Sequence, residues 1–218
     1  MENEFWHSCW QNNHLGFQLA EPHPMLVSAL PELLALNDSA ASCRIFVPLC
    51  GKSPDLHFLA ERFHVVGCEL SAIACADFFA EANLSPEQVL VGEHVVYQND
   101  EIALWQGDFF RLPESAVSGI SVIYDRAALI ALPKDMRIRY VQQLKTLFPS
   151  ATMLLISLAY PEEEKSGPPF NVTETEIRQL FAGASFVKLL EHDLTGVGFA
   201  KRRFATSSLI ETAWLIRW

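Results

Sequence analysis

The chain has 218 residues, half of them hydrophobic and 19% charged. That length suits one α/β domain, and that composition buries a sizeable core, which excludes extended disorder. The net charge of −10 excludes nucleic acid and anionic membrane as partners held by bulk electrostatics.

The five cysteines are Cys9, Cys43, Cys50, Cys68 and Cys75. Their number is odd and no pair is spaced C-x-x-C, so they read as reduced thiols rather than disulfides or a zinc site. The seven histidines are scattered without a metal-ligand pattern, and no metal is expected. The acidic start Met1-Glu2-Asn3-Glu4 is unlike a signal peptide. No apolar run approaches the ~20 residues that span a bilayer. These features place the chain in the cytoplasm. The absence of a sustained heptad or apolar stripe points to a monomer.

Phe5 to Gln11 predicts a short amphipathic helix with Trp6 and Trp10 on one face. Met25 to Leu36 predicts a second helix, with Pro24 in its first turn. Arg44 to Val47 is a β-prone run ending at Pro48, followed by the loop Leu49-Cys50-Gly51-Lys52-Ser53. Ser53 is the expected N-cap of the next helix. His64 to Cys68 is a second strand that ends at Glu69, and Ser71 caps a third helix. This strand–loop–helix–strand–acid order opens a doubly wound parallel sheet.

Val95 to Tyr97 and Ile102 to Trp105 predict a hairpin, with Gly107-Asp108-Phe109-Phe110 as a loop after it. Ile120 to Tyr124 is a strand ending in Asp125-Arg126. Lys134 to Phe148 is helical, and Thr152 to Ala159 reads as a central strand buried on both faces. Pro161 to Phe170 is a loop, open to reading as a lid or as plain surface. Thr173 and Glu176 form a capping box. Phe186 to Leu190 and Ile210 to Trp218 are strands without a long helix between them, hence antiparallel. No linker interrupts the sequence, and residues 1–218 read as one domain.

The most informative constellation is Val47-Pro48-Leu49-Cys50-Gly51-Lys52-Ser53 followed by Val65-Val66-Gly67-Cys68-Glu69. The first supplies a close backbone approach at Gly51. The second places a carboxylate where it accepts from both hydroxyls of a ribose. Gly51-Lys52-Ser53 has the tail of a P-loop, but Phe46 stands where that motif needs glycine. A dinucleotide site wants three spaced glycines and only Gly51 is present. S-adenosylmethionine has no pyrophosphate, so one glycine suffices. Taken singly, Gly51 also reads as a turn residue and Glu69 as a helix cap.

Arg126 suits a carboxylate or an anionic acceptor, and equally an internal salt bridge with Asp125. Asp108 and Phe109 can hold an adenine by its amino group and its face, or form a turn followed by core phenylalanines. Cys50 has no paired base and reads as a packing residue.

Phe5-Trp6-His7-x-x-Trp10, Gly16-Phe17, the segment 47–53, Val65 to Ser71, Asp125 to Leu129, and Gly167-Pro168-Pro169-Phe170 together resemble the thiopurine S-methyltransferase family, from Phe5 to about Phe181. The resemblance implies a class I methyltransferase: an α/β, doubly wound, mainly parallel seven-stranded sheet with helices on both faces and an antiparallel last strand. Residues 1–40 would form a helical cover over the cofactor site. The implied cofactor is S-adenosylmethionine, held by Trp10, Leu49 (through its backbone), Glu69 and Arg126. Phe17 is implied to contact a small aromatic thiol acceptor, and Arg126 to orient it or steady its thiolate. A second substrate arginine would be Arg202 or Arg203. A methyltransferase acting on selenium or tellurium, a dinucleotide-dependent oxidoreductase and a non-catalytic cofactor binder remain as alternatives.

Overall fold

The computed structural model describes residues 3–35, 44–197 and 204–218. Cys43, Arg202 and Arg203 lie outside them. The chain divides into two compact units, Met1–Tyr124 and Asp125–Trp218.

The first unit begins with α1 (Asn3–Gln11) and α2 (Pro24–Ala35). Two parallel crossovers follow: β1 (Arg44–Pro48), α3 (Asp55–Ala60) and β2 (His64–Glu69), then α4 (Ala72–Glu81). Next come β3 (Glu87–Val91), β4 (His94–Gln98), β5 (Ile102–Gln106) and β6 (Val122–Arg126), whose last two residues fall in the second unit. The strands lie in the order β3-β4-β5-β2-β1-β6. β1 pairs in parallel with β2 and β6, and β2 with β5, in register Glu69 opposite Gln106. Parallel strands need crossover connections, and the apolar faces of α3 and α4 supply their cover. Ile45, Phe46, Val65, Leu56, Leu59 and Phe79 are fully buried and form the core.

The hairpin β4–β5 is antiparallel as expected, and β3 adds a further antiparallel strand at its edge. Every residue of β3 is exposed. Nine strands are therefore present among the described residues, where the resemblance implied seven. The α3 cap also differs from expectation. Pro54 holds the N-cap position, and the Ser53 hydroxyl instead accepts from Asp55 N–H at 3.2 Å. Ser71 caps α4 as its sequence predicts, accepting from Ala74 N–H.

The second unit holds α5 (Lys134–Leu147), β7 (Thr152–Ala159), α6 (Glu174–Leu180), β8 (Ser185–Asp193) and β9 (Ile210–Arg217). The strand order is β7-β9-β8, and both pairings are antiparallel. Seven of the eight β7 residues are buried, as its apolar run requires. Thr173 caps α6, but the Glu176 carboxylate turns to the buried Arg137 at 2.7 Å rather than back to the cap. The loop after β7 is pinned along its length. Tyr160 hydroxyl donates to Pro169 C=O, Phe170 N–H donates to Ile130 C=O, and Glu164 accepts from Ser207 N–H and hydroxyl.

Candidate cofactor site

In the first unit the carboxyl ends of β1, β2 and β5 converge, where open α/β sheets bind ligands. β1 runs out at Pro48 into a tight loop. Leu49 takes φ 45° and Gly51 φ 55°. Positive φ costs a leucine energy, and such strain persists where the surroundings fix the backbone for function. A Cβ on Gly51 would stand 3.3 Å from the Trp10 ring. Only glycine combines this conformation with this approach.

Glu69, at the end of β2, is buried. One carboxylate oxygen accepts from Gly51 N–H at 2.8 Å, the other from Ser71 N–H at 2.7 Å. Burial raises its pKa, and the backbone donors Ser71, Gly51 and Leu70 pull it back down. Each oxygen carries two lone pairs, so each keeps acceptor capacity after binding one amide. A ribose diol presents the matching pair of donors.

Gly67 explains why these two segments meet. A Cβ there would lie 2.7 Å from Cys50 Sγ and 2.7 Å from Leu104 Cδ2. Its missing side chain lets Cys50 sit on β2, where Cys50 N–H donates to Cys68 C=O at 3.1 Å. Gly67→Ala is expected to cost about 1–3 kcal/mol by overpacking, measured by urea unfolding. Adding Cys50→Ala removes one of the two clashing atoms and should recover part of the loss.

Cys50 is a packing residue here: burial drives its thiol well above the ordinary range, so no thiolate nucleophile forms. Lys52 does not act as a phosphate lysine. Its ammonium is engaged by Glu81 at 2.5 Å and Asp77 at 3.5 Å on α4. The pyrophosphate readings therefore lose both glycines and cation, while a nucleoside carrying a ribose fits the residues present.

The amino-terminal segment lies against this loop. Phe17 packs edge-on to both Trp6 and Trp10, at centroid distances of 5.8 and 5.7 Å. Trp10, Gly51, Glu69 and Phe17 are thus brought into one neighbourhood. After β5, Gly107 leaves room for His94, whose ring would meet a Cβ at 2.4 Å. Asp108 caps a short 3-10 turn, accepting from Phe110 N–H. Phe109 is 2% exposed and stacks on Phe46. Sequence reasoning did not find Gln18, Asp55 or Gln106 in this neighbourhood. Asp55 is buried and accepts from His23 N–H at 2.7 Å and Tyr124 hydroxyl at 2.9 Å.

Arg126 closes β6 and is half-buried, followed by Ala127 at φ 69°. The neighbouring Asp125 is fully buried and serves the turn. It accepts from Ala128 and Leu129 N–H and from Tyr140 hydroxyl at 2.7 Å. Its donors are thus the two turn amides on one oxygen and the Tyr140 hydroxyl on the other.

The fold is that of class I S-adenosylmethionine-dependent methyltransferases. It is similar to an S-adenosylmethionine-dependent methyltransferase from Anabaena variabilis (TM-score 0.64, 17% identity, 97% of this chain and 93% of that one). It is also similar to the 1,6-didemethyltoxoflavin-N1-methyltransferase of Burkholderia thailandensis, solved with S-adenosylhomocysteine (TM-score 0.62, 12% identity, 98% and 86%). Residues 1–217 match the family described as Thiopurine S-methyltransferase (TPMT). Proteins called thiopurine S-methyltransferase include one from Photobacterium profundum, 41% identical over 99% of both chains, and one from Shewanella oneidensis, 47% identical over 80% of this chain and 79% of the other. The chain belongs to the thiopurine S-methyltransferase family, and it is an enzyme that uses S-adenosylmethionine.

Proposed function

We propose that this chain methylates the sulfur of a small aromatic or heterocyclic thiol. The observation that supports this acceptor is the match, over nearly the whole chain, to relatives called thiopurine S-methyltransferase. S-adenosylmethionine supplies a methyl carbon on a sulfonium, which a thiolate sulfur displaces as the bonding pair returns to the departing sulfur. Glu69 takes the ribose hydroxyls, Gly51 and the Leu49 backbone border the ligand, and Trp10 covers it. Asp108 and Phe109 form the adenine end, with Phe109 acting as the core floor beneath it. Phe17 contacts the acceptor ring. Arg126 contacts the cofactor and steadies the thiolate. A heterocyclic thiol ionises near neutral pH, so alignment and desolvation replace a general base. Residues 1–40 act as the cover of a single domain.

The protein works as a cytoplasmic monomer on a small molecule, without nucleic acid. Among the described residues, no helix is long and apolar enough to cross a membrane.

The test is transfer of labelled methyl from S-adenosylmethionine to 6-mercaptopurine, beside hydroxyl, amine and selenol analogues. Methylation of sulfur is expected, with oxygen and nitrogen analogues inert. Donor binding without transfer to any thiol refutes the acceptor; selenol methylation alone would move it to a different soft atom.

A further inference from the structure

The amino-terminal segment meets the cofactor loop at three points in register. The Trp10 ring packs on Gly51, the Gln18 side-chain amide donates to Lys52 C=O at 2.6 Å, and His23 N–H donates to Asp55. The three points differ in kind. The Asp55 contact is buried and shared with Tyr124, so it is a fixed anchor. The Trp10 contact is apolar packing without direction. Gln18 is half-buried and makes one directional bond between main chain and side chain, 34 positions apart in sequence.

The geometry between them gives that bond leverage. α1 ends at Gln11, and Asn13 takes φ 54°, which asparagine tolerates better than most residues. The chain doubles back, with His14 N–H on Cys9 C=O and Gln18 N–H on Leu15 C=O. Phe17 is thereby set against Trp6 and Trp10 immediately before Gln18. Lys52, whose carbonyl receives the amide, is itself held to α4 by Glu81 and Asp77. The acceptor carbonyl sits in a loop fixed by Gly51 N–H on Glu69 and Ser53 N–H on Cys50 C=O, and the donor on a reversing segment.

We infer that Gln18 is a positioning residue, a clasp that holds the aromatic trio Trp6, Trp10 and Phe17 closed over the Gly51 turn and so sets donor affinity. The inference rests on the cofactor-site reading above. Gln18 acts through Phe17 and Trp10 and has no part in methyl transfer. Its loss opens the cover without removing any group that holds the ribose or the thiolate. The effect therefore falls on donor binding and release and, through Phe17, on the acceptor KM, while the chemical step at saturating donor and acceptor is spared.

Full-length wild type, Gln18→Ala and Gln18→Glu are titrated with S-adenosylmethionine by calorimetry, then assayed with 6-mercaptopurine and melted. Gln18→Ala should raise donor Kd and KM about threefold to tenfold, the range of one net hydrogen bond. Its kcat at saturating donor and acceptor should stay within about twofold, and its Tm should fall by no more than about 2–4 °C. Gln18→Glu keeps the shape but sets carboxylate oxygens against the Lys52 carbonyl, so it should weaken the donor further than alanine does. An unaltered Kd in Gln18→Ala, a glutamate no weaker than alanine, or a parallel fall in Tm and kcat at constant KM overturns the clasp. Wild type that binds the donor while both variants are indifferent overturns the clasp alone; wild type that binds no donor overturns the cofactor-site reading and the clasp with it.

Discussion

Glu69→Ala is expected to bind S-adenosylmethionine on the order of 10²–10⁴ times more weakly than wild type. Hydrogen bonds to a charged group contribute about 1.5–3 kcal/mol each, and two ribose hydroxyls are lost together. The carboxylate is pre-aimed: its oxygens are fixed by Gly51 and Ser71 N–H before any ligand arrives. Little ordering cost then remains for binding. The same two amides make the substitution structurally costly. Removing the carboxylate leaves both without their acceptor at a buried position, each at about 1–3 kcal/mol less whatever water recovers. Calorimetric titration measures the affinity and urea unfolding the stability. Glu69→Gln separates the two effects. It keeps one carbonyl acceptor but turns an NH₂ toward the other amide, so it should lose much of the affinity while losing less stability than alanine. Donor affinity within about threefold of wild type in a folded Glu69→Ala protein would falsify the ribose role.

This carboxylate was legible because three local signals coincide: an apolar run for β2, a terminal acid, and Ser71 as the next helix cap. The parallel strands β1, β2 and β6 and the doubly buried β7 were legible for similar reasons, since burial on both faces leaves an uninterrupted apolar run. β3 was not. Glu87-Gln88-Val89-Leu90-Val91 buries neither face, so no alternation is imposed on it, and only its pairing with β4 makes it a strand. The cap at Ser53 shifted because the helix begins one residue later, at Asp55, which puts Pro54 at the N-cap and leaves the serine hydroxyl to accept from Asp55 N–H. Trp10, Gly51 and Phe17 were found by motif, and the structure brings them together. Their supports were invisible for a different reason. The Gln18–Lys52, His23–Asp55 and Tyr124–Asp55 bonds join residues 34, 32 and 69 positions apart, and nothing in local spacing encodes such partners. Gly67 stood inside a recognised motif, yet its purpose depends on where Cys50 and Leu104 lie in space. Asp125 was read beside Arg126 because they are neighbours in sequence. The carboxylate instead caps the turn after β6 and meets Tyr140, 15 positions on.

Asp125→Asn is expected to change the pH dependence of stability. Burial pushes the Asp125 carboxyl from 3.8 up to about 6, against the opposing pull of Tyr140 hydroxyl and the Leu129 and Ala128 amides. Because the folded value is raised, the native state holds the proton more tightly than the unfolded chain. The stability this supplies is fully present below about pH 3.8 and is lost as pH rises through about 6. Keeping the carboxylate charged inside the fold at neutral pH therefore costs on the order of 3 kcal/mol. Asparagine keeps Oδ1 for the Ala128 and Leu129 amides and offers Tyr140 a donor in place of an acceptor, without a charge to bury. Unfolding by urea across about pH 4.5–7.5 should show the variant gaining on wild type as pH rises, with the difference levelling off above about pH 6. Glu69, also raised by burial, contributes a slope of the same sign to both proteins, so the difference curve isolates Asp125. A flat difference over that interval would show that the native carboxyl titrates as it does unfolded. The kinetics of the same variant then decide why a buried charge is kept next to Arg126. A protein more stable but slower at about pH 7.5 places the negative charge in the service of the site. One that is more stable and equally fast leaves Asp125 as a turn cap whose hydrogen bonds, and not whose charge, fix the backbone that follows β6.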